Sequence, residues 1–118
     1  MKFSPQWWRW SFFTLLLLTL WLSLIPANQV PSTMVFWDKA QHALGFAALA
    51  FLGLMAYPDR LRNLVFWLAC LGGGIEVAQW QSGWRQGDWQ DWSADCVGIL
   101  LGWLAWHLLQ WLRAFQRP

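Results

Sequence analysis

The chain has 118 residues, of which 58% are hydrophobic, 19% aromatic and only 12% charged, about half the charged share of an average soluble domain. That charge is too sparse to wet the surface of a soluble fold of this size. Eight basic and six acidic residues, net +2, are too few and too dispersed for the phosphate-neutralising stripe of a nucleic-acid binder.

A mean hydropathy of +0.31 understates the apolarity, because 13 of the residues are Trp, which favours membrane interfaces. Four apolar runs, about 10–25, 40–57, 63–80 and 93–112, are each about long enough to cross a hydrocarbon core of roughly 30 Å at 1.5 Å per residue. The expected fold is therefore all-α: one domain over 1–118, a polytopic membrane protein built as a four-transmembrane-helix bundle.

The first run, FFTLLLLTLWLSLI, follows Lys2 and Arg9 as a signal peptide would. Ile25 and Ala27 do not form a small-x-small cleavage site, so the segment is expected to stay as a span. Pro26 and Pro31 end it and keep 26–37 extended. Tyr57-Pro58-Asp59 leaves a very short link between the second and third runs, predicting a tight hairpin. In the third and fourth runs, Gly72-Gly73-Gly74 and the Gly98/Gly102 pair offer small surfaces, and the third and fourth helices are expected to meet there. Such a meeting would bring Glu76 and Asp95 together, an arrangement in which two carboxylates cannot both ionise comfortably.

Lys2, Arg9, Arg60, Arg62, Arg113 and Arg117 fall on one side of these spans, and Lys39 and Arg85 on the other, which places both termini in the cytoplasm. Trp37, Trp80, Trp84, Trp89 and Trp92 mark the outer helix ends; Trp7, Trp8, Trp10, Trp67, Trp106 and Trp111 mark the inner ones. By this register Cys96 lies about 5 Å and Cys70 about 15 Å below the outer boundary, too far apart in depth for a disulfide. Both thiols are expected to be packing residues.

The acids are distributed unevenly. Asp38 and His42 stand at i and i+4 at the head of the second span, Glu76 and Gln79 at i and i+3 near the end of the third, and Asp88, Asp91 and Asp95 enter the fourth. At 1.5 Å per residue, His42 and Asp95 lie about 3 Å inside the outer boundary and Glu76 about 6 Å inside. Ionisable groups placed so are functional by default. Glu76, His42 and Asp95 are the candidate catalytic residues, and Asp38, Gln79, Arg85, Asp88 and Asp91 the candidate binding residues. The chemistry open to them is general acid–base work by a crowded carboxylate or coordination of a divalent cation by carboxylates and His42. Each residue also has a plain structural role open to it. Asp38 with Gln41 fits a capping box. Asp88 and Asp91 fit caps of a short surface helix, and Asp95, just after Ser93 as N-cap, complements a helix dipole. His42 fits an interfacial hydrogen-bond donor, and Glu76 a buried acid paired with Arg85. His107, about 18 Å from Asp95 along the same helix, stands apart.

Asp38-Lys39-Ala40-Gln41-His42-Ala43-Leu44-Gly45-Phe46, then Gly74-Ile75-Glu76-Val77-Ala78-Gln79, then Arg85, Asp88 and Asp91, and finally Asp95 with Gly98 and Gly102, together resemble the VanZ-like family of small bacterial membrane proteins. The resemblance covers 38–102; Trp89 and Trp92 depart from it, and Asp95 stands where that family often carries Asn. It implies a four-helix integral protein of the bacterial inner membrane, in a family whose founding member lowers susceptibility to teicoplanin, and it implies no particular reaction. The same set is implied as the site: Asp38, His42, Glu76, Gln79, Arg85, Asp88, Asp91 and Asp95. Two functions lead, ahead of transport, for which four short helices leave little room without oligomerisation and no inverted repeat is visible. One is binding of a membrane lipid or lipid-linked cell-wall precursor by an acidic, Trp-lined mouth. The other is an enzyme on such a substrate, and Ser82 and Ser93, at helix ends, supply it with no recognisable nucleophile.

Overall fold

The computed structural model describes residues 5–29, 38–84 and 87–117, apart from the side chains of Ala27 and Asp38. Four α-helices account for most of them: α1 (Pro5–Leu24), α2 (Asp38–Ala56), α3 (Leu61–Ser82) and α4 (Trp89–Phe115). Each overlaps one of the four runs expected from hydropathy, extended by a few residues at one or both ends, and no strand occurs among the described residues. Lys39–Ala56, Pro58–Ser82 and Trp89–Phe115 are long and apolar enough to cross a membrane. The first helix is as long as the others need to be, but its opening stretch PQWWRWS dilutes the apolar run that follows.

Helix boundaries follow local chemistry. Pro5 sits at the first turn of α1, where its missing N–H costs nothing, and Pro26 stops the same helix after a last bond from Ile25 N–H to the Trp21 carbonyl at 3.1 Å. A 3₁₀ turn at Pro58–Arg60 joins α2 to α3. Gly83, at φ 77°, closes α3 in the left-handed conformation that glycine adopts without a Cβ penalty. Asp88 is the N-cap of α4, its carboxylate accepting from the Gln90 N–H at 2.9 Å. Thus α4 begins a turn earlier than Ser93, whose hydroxyl instead donates back to the Trp89 carbonyl at 3.1 Å.

The pairing of helices departs from expectation in one respect. The most extensive interface is between α2 and α4, not α3 and α4, and the short link does not make α2 and α3 close partners. The reason lies in the glycines of α4. A Cβ on Gly98 would run into the Ala43 carbonyl, and one on Gly102 into the Ala47 carbonyl and the Ala50 methyl. This small-residue stripe therefore seats α4 on the Ala face of α2. Gly72 and Gly73 do face α4, but what they admit is side chain: a Cβ on Gly72 would lie 2.7 Å from Asp95 Oδ2, and one on Gly73 3.5 Å from Trp92 Nε1. Trp92 lies along α3 and donates its indole N–H to the Ala69 carbonyl at 2.9 Å.

Phe12, Phe46, Leu49, Ala50, Leu68, Ile75 and Ile99, drawn from all four helices, form the apolar core. The outward faces are apolar too: Leu17, Leu18, Trp21, Phe66, Leu100, Leu104 and Leu108 are all exposed. Both cysteines are free, Cys70 on the surface and Cys96 half-buried.

Candidate functional site

The first two turns of α2 and α4 and the last turns of α3 converge at one end of the molecule. Lys39 and His42 stand on α2 one turn apart, Glu76 on α3, and Asp91 and Asp95 on α4 one turn apart, with Asp88 as that helix's cap. Lys39 Nζ donates to Asp88 Oδ2 at 3.0 Å and also to Asp91 Oδ1, tying the start of α2 to the start of α4. His42 Nδ1 lies 2.8 Å from Asp95 Oδ1. An ionised carboxylate only accepts, so wherever Asp95 is ionised Nδ1 carries the proton of that pair. The other ring nitrogen, Nε2, faces Asp91 Oδ2 at 3.6 Å, and Glu76 Oε1 lies 3.9 Å from Nδ1.

Burial makes this network consequential. Asp95 is completely buried, Asp91 is 5% exposed and Glu76 7%. Groups of this kind are almost never so buried unless paired. Four ionised carboxylates and one ammonium carry a formal charge of minus three before His42 is counted, in a place where an unpaired charge is costly. Glu76 Oε2 accepts the Asp88 N–H at 2.7 Å, whereas Glu76 Oε1 is buried and has no hydrogen-bond partner among the described residues. Glu76 thus does hold a helix start, that of α4, which its place within the last two turns of α3 did not suggest. Gly87 is needed for this contact, since a Cβ there would strike the Glu76 carbonyl and lie 3.0 Å from Trp80 Cβ. At the solvent edge, the Gln90 N–H and then the Lys39 ammonium hold the Asp88 carboxyl below its ordinary value of 3.8.

Of the residues singled out in the sequence, His42, Glu76, Asp88, Asp91 and Asp95 are brought together, and Lys39 joins them as the cation of the cluster. Asp91 is not a surface cap: it is one of the buried members, although its place in the first turn of α4 also suits the helix dipole. Lys39 was legible as the residue one turn before His42 on the same face, a spacing that only gains meaning once α4 is placed opposite. Gln79 goes elsewhere. It is 2% exposed, and its amide donates to the Ser23 carbonyl at 2.9 Å. With Trp84 Nε1, which donates to the Leu24 carbonyl at 3.1 Å, it fastens the end of α1, where Pro26 leaves carbonyls without helical donors. Arg85 and the side chain of Asp38 lie outside the described residues. His107 stacks on Trp103, 5.7 Å between ring centres, well away from the cluster.

Trp84, Trp89 and Trp92 are exposed at this end. A cleft of about 690 Å³ between α1 and α3 lies toward the opposite end, lined by Phe12, Leu16, Tyr57, Arg60 and Asn63 among others, and shares no residue with the acidic cluster. The hydroxyl of Ser82 donates to the Gln79 carbonyl at 2.7 Å, so neither it nor Ser93 is directed at His42.

No family model, curated protein or solved structure matches the chain.

Proposed function

We propose that this chain is a VanZ-like integral protein of the bacterial inner membrane, with four spans and both termini in the cytoplasm, whose acidic end faces the periplasm. There it binds the headgroup of an envelope lipid or lipid-linked cell-wall precursor. The observation that carries this reading is the meeting of Lys39, His42, Glu76, Asp88, Asp91 and Asp95 at one end of the bundle. Solubility does not call for an acidic cluster of which three members are under a tenth exposed. The exposed apolar flanks suit lipid contact, and exposed Trp84, Trp89 and Trp92 beside the carboxylates suit cation–π and interfacial contacts with a headgroup. Arg60, Arg62, Arg113 and Arg117 belong to the other ends of the helices, which supports the orientation.

A membrane-embedded enzyme is the second reading, favoured by one observation: the Asp95–His42 couple has the geometry of an oriented acid–base pair, with the Glu76 carboxylate 3.9 Å from the ring. It ranks second because the serine hydroxyls near the site are spent on backbone carbonyls.

The deciding experiment is profiling of lipids and cell-wall precursors in cells lacking the protein, complemented with wild type or with Glu76→Gln. A species that shifts on deletion and returns only with wild type is the expected result. An unchanged profile, with the protein shown to be in the membrane, would refute a role in headgroup handling.

A further inference from the structure

We infer that His42, Glu76 and Asp91 form a divalent-metal site in which Asp95 is the positioning residue for the histidine. One donor atom from each of the three residues can be chosen so that all lie within 4.8 Å of one another. His42 Nε2 and Asp91 Oδ2, 3.6 Å apart, are spaced as two ligands about 2.1 Å from one ion at an angle of about 118°. That distance is too long for a hydrogen bond.

The second line of support is Glu76. Its Oε2 is committed to the Asp88 N–H, but Oε1 is buried without a hydrogen-bond partner among the described residues and points to the side of the cluster where His42 lies. A buried carboxylate oxygen in that state calls for a cation. Lys39 already serves the other oxygen of Asp91 together with Asp88, on the solvent side, so the ammonium and the metal would take opposite oxygens of Asp91.

The third line is the orientation of the ring. His42 Nδ1 lies 2.8 Å from Asp95 Oδ1, so a neutral ring that donates Nδ1–H to this carboxylate turns its Nε2 lone pair toward Asp91. A carboxylate behind a histidine is the usual outer support of a metal-bound imidazole. Asp95 is held in turn by packing against Gly72, where any side chain would collide with it. One imidazole and two carboxylates suit manganese or zinc, whereas calcium prefers an all-oxygen set. This inference goes beyond headgroup binding and does not depend on it, because the metal is read without any lipid.

The test uses the full chain in detergent, stripped with chelator and titrated with Mn²⁺, a probe less drawn than Zn²⁺ to the thiols of Cys70 and Cys96. One saturable equivalent is expected at neutral pH, with imidazole nitrogen coupling visible in the electron-spin-echo spectrum of the wild-type protein. Ca²⁺ should compete poorly. Glu76→Gln keeps an oxygen for the Asp88 N–H and should abolish saturable binding, as should Asp91→Asn. Asp95→Asn keeps an acceptor for Nδ1 and should weaken binding by roughly 10- to 100-fold. Absence of saturable Mn²⁺ binding up to about 1 mM would overturn the inference. So would bound Mn²⁺ without nitrogen coupling, or unchanged affinity in Glu76→Gln. Because the nitrogen coupling is read on wild type, a variant that fails to fold does not leave the question open.

Discussion

Gly98→Ala is expected to destabilise the protein although alanine is the better helix former. The added methyl would stand 3.0 Å from Ala43 Cα and nearer still to the Ala43 carbonyl oxygen, both of them rigid backbone. Restoring an ordinary contact requires α2 and α4 to part by about 1 Å, an overpacking cost of about 1–3 kcal/mol. Parting the helices there also stretches the 2.8 Å bond between His42, next to Ala43, and Asp95, three residues before Gly98, with a further loss of about 1 kcal/mol. Against this stands a gain of about 1 kcal/mol from replacing a mid-helix glycine. The net expectation is a loss of about 1–3 kcal/mol. Gly74→Ala supplies the control, since a Cβ there meets nothing within 4 Å; the propensity gain is unopposed and the variant should be at least as stable as wild type. Reversible denaturation in detergent micelles, followed by far-ultraviolet circular dichroism, measures both. If Gly98→Ala matches wild type, the close α2–α4 contact at Ala43 is refuted; if Gly74→Ala loses stability, the open space beside Gly74 is.

Gln79→Leu should cost about 1 kcal/mol by leaving the Ser23 carbonyl without its donor, and amide exchange should quicken in the last turn of α1 more than in α2. Lys39→Met removes the only cation shared by Asp88 and Asp91 among the described residues; it should destabilise the chain more than Asp88→Asn does, because Asp91 is buried and Asp88 is half-exposed. Asp88 titrates below its ordinary 3.8 in the folded chain, so its contribution is complete above that value and disappears as the pH falls through the lower folded value. The stability gap between wild type and Asp88→Asn, measured by the same denaturation at pH 7 and in steps below pH 4, should therefore close on acidification; a gap that widens would contradict the sign.

Hydropathy and proline placement made the four helices legible to within a few residues, because apolar runs, Pro26 and Pro58 act locally. The grouping of His42, Glu76, Asp88, Asp91 and Asp95 was legible as well, since a rise of 1.5 Å per residue fixes depth along a helix. Azimuth is a different matter. Whether Gly98 and Gly102 turn toward α2 or α3 depends on which neighbour offers a surface small enough to meet them, and Ala43, Ala47 and Ala50 decide it from fifty residues away. Gln79 was misplaced for the same reason: it shares a helix face with Glu76, yet its amide is claimed by a carbonyl that Pro26 strands at the end of α1. The role of Glu76 in holding the Asp88 N–H was hidden because nothing in its own helix needs a cap; the need arises on α4.

The close approach of α2 to α4 and the buried cluster are one construction. Gly98 and Gly102 set the distance at which His42 reaches Asp95, and Gly72 provides the hollow in which Asp95 is fully enclosed. Once enclosed, Asp95 faces His42 Nδ1 at 2.8 Å, and that contact turns Nε2 toward Asp91. Lys39 then holds the α4 terminus against α2 from the solvent side, while the Asp88 N–H holds Glu76 from the other. Each of these contacts is local, but among the described residues they leave Glu76 Oε1 buried without a hydrogen-bond partner at the point where three helices meet. A fold that merely needed to bind its helices together would have no use for that atom, and an apolar residue of similar size would serve packing better. Its position beside an oriented imidazole is therefore the strongest physical reason to regard this end of the molecule as a site and not only as a clasp.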